Sequence, residues 1–213
     1  MNTDFYTKNI EELNERELLQ DLFDDSFLKT DEIGLRSHYK ALRKIELTSP
    51  LNLNLEVLDT SSLVENITLA CDVICTDTRA NFVYCGNDTS FINGNSKVIT
   101  KSVLALLSNA FIYGRGNLIT VKTIEKQNYV SIEIQNAGML SQDFKFGDGL
   151  KYVNKVCKAL NGHFFISTGL LSVKAVMLIP KAKNSSEIAT TPHFCDFLSD
   201  RLSPVYVEFF GIE

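Results

Sequence analysis

The stretch SKVITKSVLALLSNAFIY, residues 96–113, decides how the rest of the chain is interpreted. It is apolar on nearly every side at helical spacing, which predicts a helix that is buried against a sheet. Gly114 and Gly116 end this helix. Two stretches that alternate polar and apolar residues, 118–125 and 129–135, follow it and are separated by a polar tripeptide. This pattern predicts an antiparallel hairpin.

Three short segments of this region carry residues that suit a ligand. Asn109 lies on the apolar helix, where a buried amide costs roughly 1–3 kcal/mol unless a backbone group, a water molecule or a ligand satisfies it. Residues 136–138, Asn-Ala-Gly, follow the second hairpin strand, and residues 147–150, Gly-Asp-Gly-Leu, open the next helix. Glycines let backbone N–H groups approach phosphate oxygens, and a helix N-terminus attracts anions. Each segment alone is also typical of an ordinary turn or core, but the three together favour a nucleotide.

In this order, the segments resemble the boxes of the GHKL ATPase superfamily, in particular the HATPase_c domain, the ATP-binding half of two-component sensor histidine kinases. Residues 106–113 resemble the N-box, whose Asn holds the Mg²⁺ that bridges the ATP phosphates. Residues 136–138 resemble the G1 box, whose acid accepts a hydrogen bond from adenine, and residues 147–150 resemble the G2 box. The resemblance extends over residues 53–180 and implies ATP and Mg²⁺ as cofactors, with Asn109 as a metal ligand. It also implies a set of nucleotide-binding residues: Asn109, Tyr113, Asn136, Gly138, Gly147, Gly149 and Leu150.

The boxes depart from the usual pattern of that family at four positions. Ala105 stands where a second Asn is common, and Ile112 stands where a phosphate-contacting Lys is common. Asn136 replaces the acid of the G1 box, and its side-chain oxygen can still accept a hydrogen bond, so adenine recognition is expected to weaken without vanishing. Leu140 replaces the second glycine of that box.

The segment between the two glycine boxes is short. The family places a long lid and a Phe-containing box there, whereas this chain has residues 139–146, in which Phe144 or Phe146 is a remnant. A lid of this length is expected to close poorly over a triphosphate. Residues 172–175 are Ser-Val-Lys-Ala where the family often has Gly-Thr-x-Phe, so a hydroxyl near the adenine is expected to be missing.

None of the three histidines has the context of a phosphoacceptor. His38 is followed by Tyr39 and Lys40 rather than by an acid, and it falls on the second N-terminal helix, so we expect an ordinary surface or interface side chain. His163 and His193 lie at a strand start and in the tail, and nothing pairs either into a catalytic set. The sequence therefore assigns no catalytic residue.

Bulk composition places the chain among ordinary globular proteins. Its 213 residues are 45% hydrophobic and 22% charged, and its net charge of -5 argues against a nucleic-acid partner. No apolar run approaches the roughly 20 residues that span a bilayer, so we expect a cytoplasmic protein without a membrane segment. Five scattered cysteines predict reduced and buried thiols. Cys71 and Cys75 share a helix face, but no second pair completes a zinc site.

The predicted fold class is an α/β (α+β) sandwich, in which three helices cover one face of a mixed, mostly antiparallel sheet. Two amphipathic helices, residues 7–27 and 31–47, precede it and are expected to pack on each other, on the domain or on a second copy as a homodimer. The predicted division has three parts: a helical segment of dimerisation type (1–50), the ATP-binding domain (51–181), and a linker with a C-terminal helix and strand extension (182–213).

Three local details also follow from the sequence. Ser61 and Ser62 start a helix in which Glu65 stands in capping-box register with Ser62. Residues 93–94, Asn-Gly, are a turn dipeptide. The β-prone run over residues 205–210 could add an edge strand to the sheet.

Two functions of different class follow from the resemblance. The first is an ATP-binding, histidine-kinase-like domain that presents the γ-phosphate to a histidine on a partner or on an upstream segment, with a response regulator as partner. The second is a non-catalytic relative that serves phosphotransfer, docking or anti-sigma-type regulation. A third reading is an unrelated α/β sandwich without a ligand, which is favoured if no cleft lies between the Asn109 helix and the glycine turns. Whether the chain is an enzyme stays open at this point.

Overall fold

The computed structural model describes residues 32–209, except 52, 77, 79, 87–88, 116–117, 141–142 and 184–187. The chain divides into two compact units, Met1–Ala41 and Leu42–Glu213. The predicted helix over residues 7–27 lies outside the described residues, and the predicted helix over residues 31–47 is present as α1. The described elements are, in chain order, α1 (Glu32–Thr48), β1 (Glu56–Asp59), α2 (Thr60–Ile74), β2 (Asn81–Tyr84), β3 (Phe91–Gly94), α3 (Ser96–Tyr113), β4 (Leu118–Glu125), β5 (Tyr129–Ala137), α4 (Asp148–Ala159), β6 (His163–Thr168), β7 (Ser172–Pro180), α5 (Phe194–Ser199) and α6 (Pro204–Phe209).

A five-stranded sheet forms one layer of the second unit. Its strand order is β2-β4-β5-β7-β6, in which β2 and β4 pair in parallel and the other neighbours pair antiparallel. Strands β1 and β3 form a separate antiparallel pair. Helices α2, α3 and α4 contact the five-stranded sheet and share one apolar core with it. The predicted α+β sandwich, with three helices on one face of a mixed and mostly antiparallel sheet, is confirmed.

Helix α3 has the bounds that the sequence predicts. Asn95 caps its start, since the side chain accepts a hydrogen bond from the Val98 N–H at 3.2 Å, and Gly114 follows its last turn. Most of its side chains are buried, including Leu104, Leu106 and Leu107. This all-round burial arises because the helix has the sheet on one side and the C-terminal helices on another.

The start of helix α2 differs from the prediction. The N-cap is Asp59, whose carboxylate accepts hydrogen bonds from the N–H of Ser62 at 3.1 Å and from its hydroxyl at 2.8 Å. The predicted capping box of Ser62 and Glu65 is therefore wrong. Strand β1 leaves Asp59 extended at the correct position for a cap, and the Ser61 hydroxyl is instead directed inwards, 2.8 Å from the Ser90 hydroxyl.

Two further predictions are corrected by the sheet and the tail. Asn93 and Gly94 do not form a turn, because they end strand β3 and pair with Val57 and Glu56 of β1. Residues 205–209 of the predicted strand run do not form a strand, because they belong to helix α6. Pro204 has the fixed φ of a first helical position, and the buried residues Val205, Glu208 and Phe209 have the i, i+3, i+4 spacing of one helix face.

The C-terminal helices pack on the outer side of α2 and α3. The Phe209 ring lies 5.7 Å from the Phe82 ring and 6.1 Å from the Phe111 ring, measured between centroids. Helix α5 begins at a capping box in which His193 accepts from the Cys195 N–H and Asp196 accepts from the His193 N–H. The tail is thus part of the core of the second unit. The three-part division of the chain stays a prediction.

A left-handed turn follows α4. Asn161 adopts a left-handed conformation with φ of 56°, and the Gly162 N–H donates to the Cys157 carbonyl at 2.7 Å. A Cβ at Gly162 would lie 2.2 Å from the Leu178 carbonyl oxygen, so the turn requires glycine there.

The cysteines are only partly as expected. Cys71, Cys75 and Cys157 are buried, and burial raises the pKa of Cys75 and of Cys157 to about 12. Cys85 and Cys195 are exposed, which corrects the expectation that all five are buried. Within the described ranges, no helix has the length and apolar character needed to cross a membrane.

Candidate functional site

A cavity of about 490 Å³ lies between α3, the inner face of the sheet and the start of α4. Its size is in the range of small-molecule sites, roughly 300–1,000 Å³. Helix α3 contributes Leu106, Asn109, Ala110 and Tyr113, which lie on one helix face because they are spaced by three or four residues. The remaining lining residues are Arg115, Ile134, Asn136, Met139, Leu140, Asp143, Phe144, Lys145, Gly147, Leu150, Ile166, Val173 and Ala175.

One end of the cavity is polar and is formed by Asn109 and by the start of α4. The Asn109 Nδ2 donates to the Ala105 carbonyl at 2.5 Å, and among the described residues no donor bonds its Oδ1. Gly147 is the N-cap of α4 and provides no side chain to satisfy the first N–H groups of the helix. These unsatisfied donors and the positive end of the helix dipole make the segment suitable for an anion.

The two glycines at the start of α4 have different surroundings. A Cβ at Gly147 would meet nothing within 4 Å, so this position is open towards the cavity. Gly149 is buried, and its Cβ would lie 3.4 Å from the Ala105 Cβ and 3.6 Å from the Asn109 Nδ2. Gly149 therefore allows α4 to approach α3 closely and does not itself line the cavity. Helix α4 begins at Asp148, two residues before the predicted Leu150.

The other end of the cavity is an apolar slot on the inner face of the sheet. Asn136 pairs with Val173, and Ile134 and Ile166 both pair with Ala175, so these five side chains lie on the same face of β5, β7 and β6. Asn136 is only 8% exposed, and its Nδ2 donates to the Ala137 carbonyl at 3.0 Å. A planar apolar group with one polar edge fits such a slot.

Gly138 lies just outside this slot. Its N–H donates to the Leu171 carbonyl at 3.1 Å, and a Cβ there would lie 3.4 Å from the Asn136 Nδ2. It therefore supports the position of Asn136 and does not line the cavity. Asn136 itself belongs to β5, so the predicted turn after the strand begins only at Gly138.

Exposed and charged residues surround the mouth of the cavity. Tyr113 is 71% exposed and Met139 is 62% exposed, and both line the cavity. Arg115, Asp143 and Lys145 also line it. These three charged residues belong to none of the predicted boxes, and their only sequence signal is that they follow the end of α3 or precede α4.

The short segment before α4 is fixed by aromatic contacts. The Phe146 ring lies 5.5 Å from the Phe164 ring and 5.9 Å from the Phe144 ring. Phe144 and Leu140 line the cavity. Phe146 thus attaches the end of this segment to strand β6, which limits how far the segment can extend over a ligand.

Of the four positions that depart from the family pattern, Asn136 and Leu140 line the cavity, whereas Ala105 and Ile112 do not. Ala105 is fully buried under Gly149, and Ile112 is 45% exposed and does not line the cavity. In the first unit, the His38 Nδ1 lies 2.8 Å from the Gly34 carbonyl oxygen on its own helix. His193 caps helix α5.

A partly buried ion pair lies next to the polar end of the cavity. The Arg43 guanidinium contacts both carboxylate oxygens of Glu208, with Nε–Oε2 at 2.7 Å and Nη2–Oε1 at 2.6 Å. The Ser108 hydroxyl donates to the same carboxylate. Burial raises the pKa of Glu208, although the Arg43 charge and the Ser108 hydrogen bond act in the opposite direction. Sequence reasoning did not foresee this network.

No family model matches the chain, and no curated protein matches it. Solved histidine kinase structures do match it. For the histidine kinase AdeS of Acinetobacter baumannii, the identity is 18%, the TM-score is 0.56, and the match covers 76% of this chain and 93% of AdeS. The ATP binding domain of PrrB from Mycobacterium tuberculosis matches at 16% identity with a TM-score of 0.52, and the match covers 61% of this chain and 99% of that domain.

The histidine kinase ThkA, solved in complex with the response regulator protein TrrA, is similar at 15% identity with a TM-score of 0.59. This match covers 84% of the present chain and 56% of the ThkA chain. The second unit therefore has the fold of histidine kinase ATP-binding domains, as the resemblance of the sequence predicts.

Proposed function

We propose that this chain is an ATP-binding, histidine-kinase-like module of two-component signalling. It binds ATP in the cavity and presents the γ-phosphate to a histidine on a partner or on an upstream segment. One observation carries this proposal: the Asn109 amide and the uncapped start of α4 lie at one end of a cavity whose other end is an apolar slot containing Asn136. This arrangement suits the phosphates at one end and the adenine at the other.

The residues of the chain act by binding and positioning. The first N–H groups of α4 bind phosphate oxygens, and Arg115 and Lys145 add positive charge at the cavity mouth. The Asn136 Oδ1 accepts a hydrogen bond from the adenine amino group, and the apolar slot excludes water from the base. Such positioning supplies most of the catalysis in phosphoryl transfer, because little covalent chemistry is left to the protein.

The site also suits Mg²⁺, with the Asn109 Oδ1 as a ligand. Among the described residues, no three His, Cys, Asp or Glu side chains gather as a metal site of their own. Mg²⁺ keeps several waters and takes few protein ligands when it is bound together with phosphates, so one amide oxygen is a sufficient ligand from this part of the chain. Once bound, Mg²⁺ neutralises charge on the phosphoryl group.

The same proposal extends to the remaining parts of the chain. The similarity to ThkA, which was solved with a response regulator protein, supports a response regulator as partner. Residues 1–50 serve as a shortened dimerisation segment, residues 51–181 as the ATP-binding domain and residues 182–213 as an extension. The module acts in the cytoplasm.

The test is a thermal unfolding experiment with and without Mg-ATP. A ligand that binds only the folded state at a hundred times its Kd stabilises it by about 2.7 kcal/mol, and for a chain of this size Tm rises by about 5–11 °C. Asn109→Ala removes the metal ligand, and we expect less than about 1 °C of shift at the same concentration. The substitution itself removes one hydrogen bond within α3 and lowers stability by only about 1 kcal/mol.

The matched control is Asn128→Ala, in the exposed loop between β4 and β5, which should keep the full shift. A wild-type protein whose Tm is unchanged by Mg-ATP, or an Asn109→Ala protein that keeps the full shift, contradicts the proposal. Calorimetric titration with Mg-ATP checks the same two variants at a fixed temperature.

A second candidate is a non-catalytic relative that uses the same fold as a docking or anti-sigma-type module. Two observations favour it. Ala105, which stands where the family commonly has a second Asn, is buried beneath Gly149. Phe146 attaches the short segment before α4 to β6, which limits how far this segment can extend over ATP. It predicts a stable complex with a response regulator and no release or transfer of phosphate from ATP. An ATP-dependent phosphorylation of a histidine-containing partner would exclude it.

A further inference from the structure

A positive charge lies directly behind the polar end of the cavity. The Arg43 Nη2 is 4.0 Å from the position that a Cβ on Gly149 would occupy, and 3.3 Å from the Ser108 Oγ. Gly149 belongs to the first turn of α4, and Ser108 precedes Asn109 on α3. The guanidinium is therefore next to both segments that form the polar end, although Arg43 does not line the cavity.

The opposite charge comes from the C-terminal helix. Glu208 lies on α6, its side chain is 8% exposed, and it holds the guanidinium through two short contacts. The carboxylate also accepts the Ser108 hydroxyl, so it connects three helices that are distant in sequence. This attachment keeps the Arg43 side chain, which is 31% exposed, from turning out into water.

We propose that Arg43 strengthens triphosphate binding through its charge, and that Glu208 holds the guanidinium behind the α4 N-terminus and partly cancels that charge. The inference rests on the proposed function. Arg43 is a positioning residue, because it acts through the electric field at the start of α4 without touching the ligand. Its charge has the same sign as the N-terminal end of the α4 dipole, so the two effects add for an anion.

The proposal predicts effects of opposite sign for the two partners. Removal of the Arg43 charge takes away the positive group next to the start of α4, which weakens binding. Removal of the Glu208 charge leaves the guanidinium uncompensated, which strengthens binding. A merely structural ion pair predicts that both changes weaken binding, because each disturbs the same contact between helices.

The experiment is calorimetric titration of the full chain with Mg-ATP and, separately, with adenosine at 50 mM and 500 mM salt. Arg43→Met is expected to weaken Mg-ATP binding by about five- to tenfold at low salt, and Glu208→Gln to strengthen it by about two- to fivefold. Adenosine binding should change by less than about twofold in both, and the differences for Mg-ATP should shrink at high salt.

Three further variants separate charge from folding. Arg43→Lys keeps the charge but cannot make both contacts with the Glu208 carboxylate, so it should keep more of the Mg-ATP affinity than Arg43→Met does. The double variant Arg43→Met with Glu208→Gln removes both charges without leaving a buried carboxylate alone, and its affinity should return towards wild type. Lys44→Met is the matched control, because it removes one positive charge at an exposed position on the same helix. It should leave the affinity for Mg-ATP unchanged.

The outcomes distinguish this inference from the proposed function. If wild type binds adenosine and Mg-ATP but Glu208→Gln weakens Mg-ATP binding, or if Arg43→Met and Lys44→Met behave alike, the inference is overturned and the proposed function stands. If wild type binds no Mg-ATP, the proposed function fails and the inference fails with it.

Discussion

Replacing Phe209 with alanine tests whether the C-terminal helix belongs to the core. The ring is 5% exposed and has two aromatic neighbours, Phe82 and Phe111, at centroid distances of 5.7 and 6.1 Å. Truncation of a buried Phe costs about 3–5 kcal/mol, and an aromatic pair contributes about 0.5–1.5 kcal/mol beyond the burial of its area. For a chain of this size we expect Tm to fall by about 6–20 °C, and the urea midpoint to fall with an unchanged m-value.

Phe165→Ala is the matched control for this prediction. Phe165 lies on strand β6 and is 44% exposed, so its truncation should cost only about 1 kcal/mol. Equilibrium urea unfolding of both variants, followed by circular dichroism, measures the difference. Equal and small losses for the two variants would refute the reasoning, because α6 would then contribute no more to stability than a surface residue does.

Substitutions at two other positions test the α3–α4 contact and the buried carboxyl. Gly149→Ala should be tolerated, since its Cβ meets the Ala105 Cβ at 3.4 Å, whereas the branches of Gly149→Val overpack the contact and should lower the free energy of unfolding by about 1–3 kcal/mol in urea titration. Loss of stability in the alanine variant as large as in the valine variant would contradict this account. Burial raises the pKa of Glu208 above the usual 4.5, so the folded state binds its proton more tightly than the unfolded state does, and this contribution to stability is lost as pH rises from about 4.5 through the folded pKa. As pH rises through this range, the free energy of unfolding of Glu208→Gln should therefore increase relative to that of wild type. If the difference between the two proteins does not change with pH, the raised pKa of Glu208 is contradicted.

The central elements of the fold follow from local sequence signals. Helix α3 is predictable because its apolar residues, the cap at Asn95 and the following Gly114 all indicate the same bounds. The β4–β5 hairpin is predictable because polar and apolar residues alternate in both strands. Asn109, Asn136 and Gly147 are found because polar or glycine residues interrupt these apolar patterns at element ends.

The tail could not be predicted in the same way. Val205 and Val207 have a high preference for strands, but Pro204 and packing against α3 decide for a helix, so tertiary contacts override local propensity. The Arg43–Glu208 pair joins positions 165 residues apart, and no spacing rule relates them. The role of Gly149 could not be predicted either. Its sequence context indicates a phosphate-binding loop, whereas in the structure it allows α3 and α4 to approach closely.

Helix α6 also has a consequence for the order in which the nascent chain can mature on the ribosome. Phe82 and Phe111 acquire their last aromatic neighbour only when Phe209 has been synthesised. At translation rates of about 5–20 residues per second, the interval between Phe111 and Phe209 is roughly 5–20 s. During that time the apolar surface around Phe82 and Phe111 is not covered by α6 and faces water. Exposed apolar surface of this kind is what chaperones bind, until the last helix of the growing polypeptide emerges.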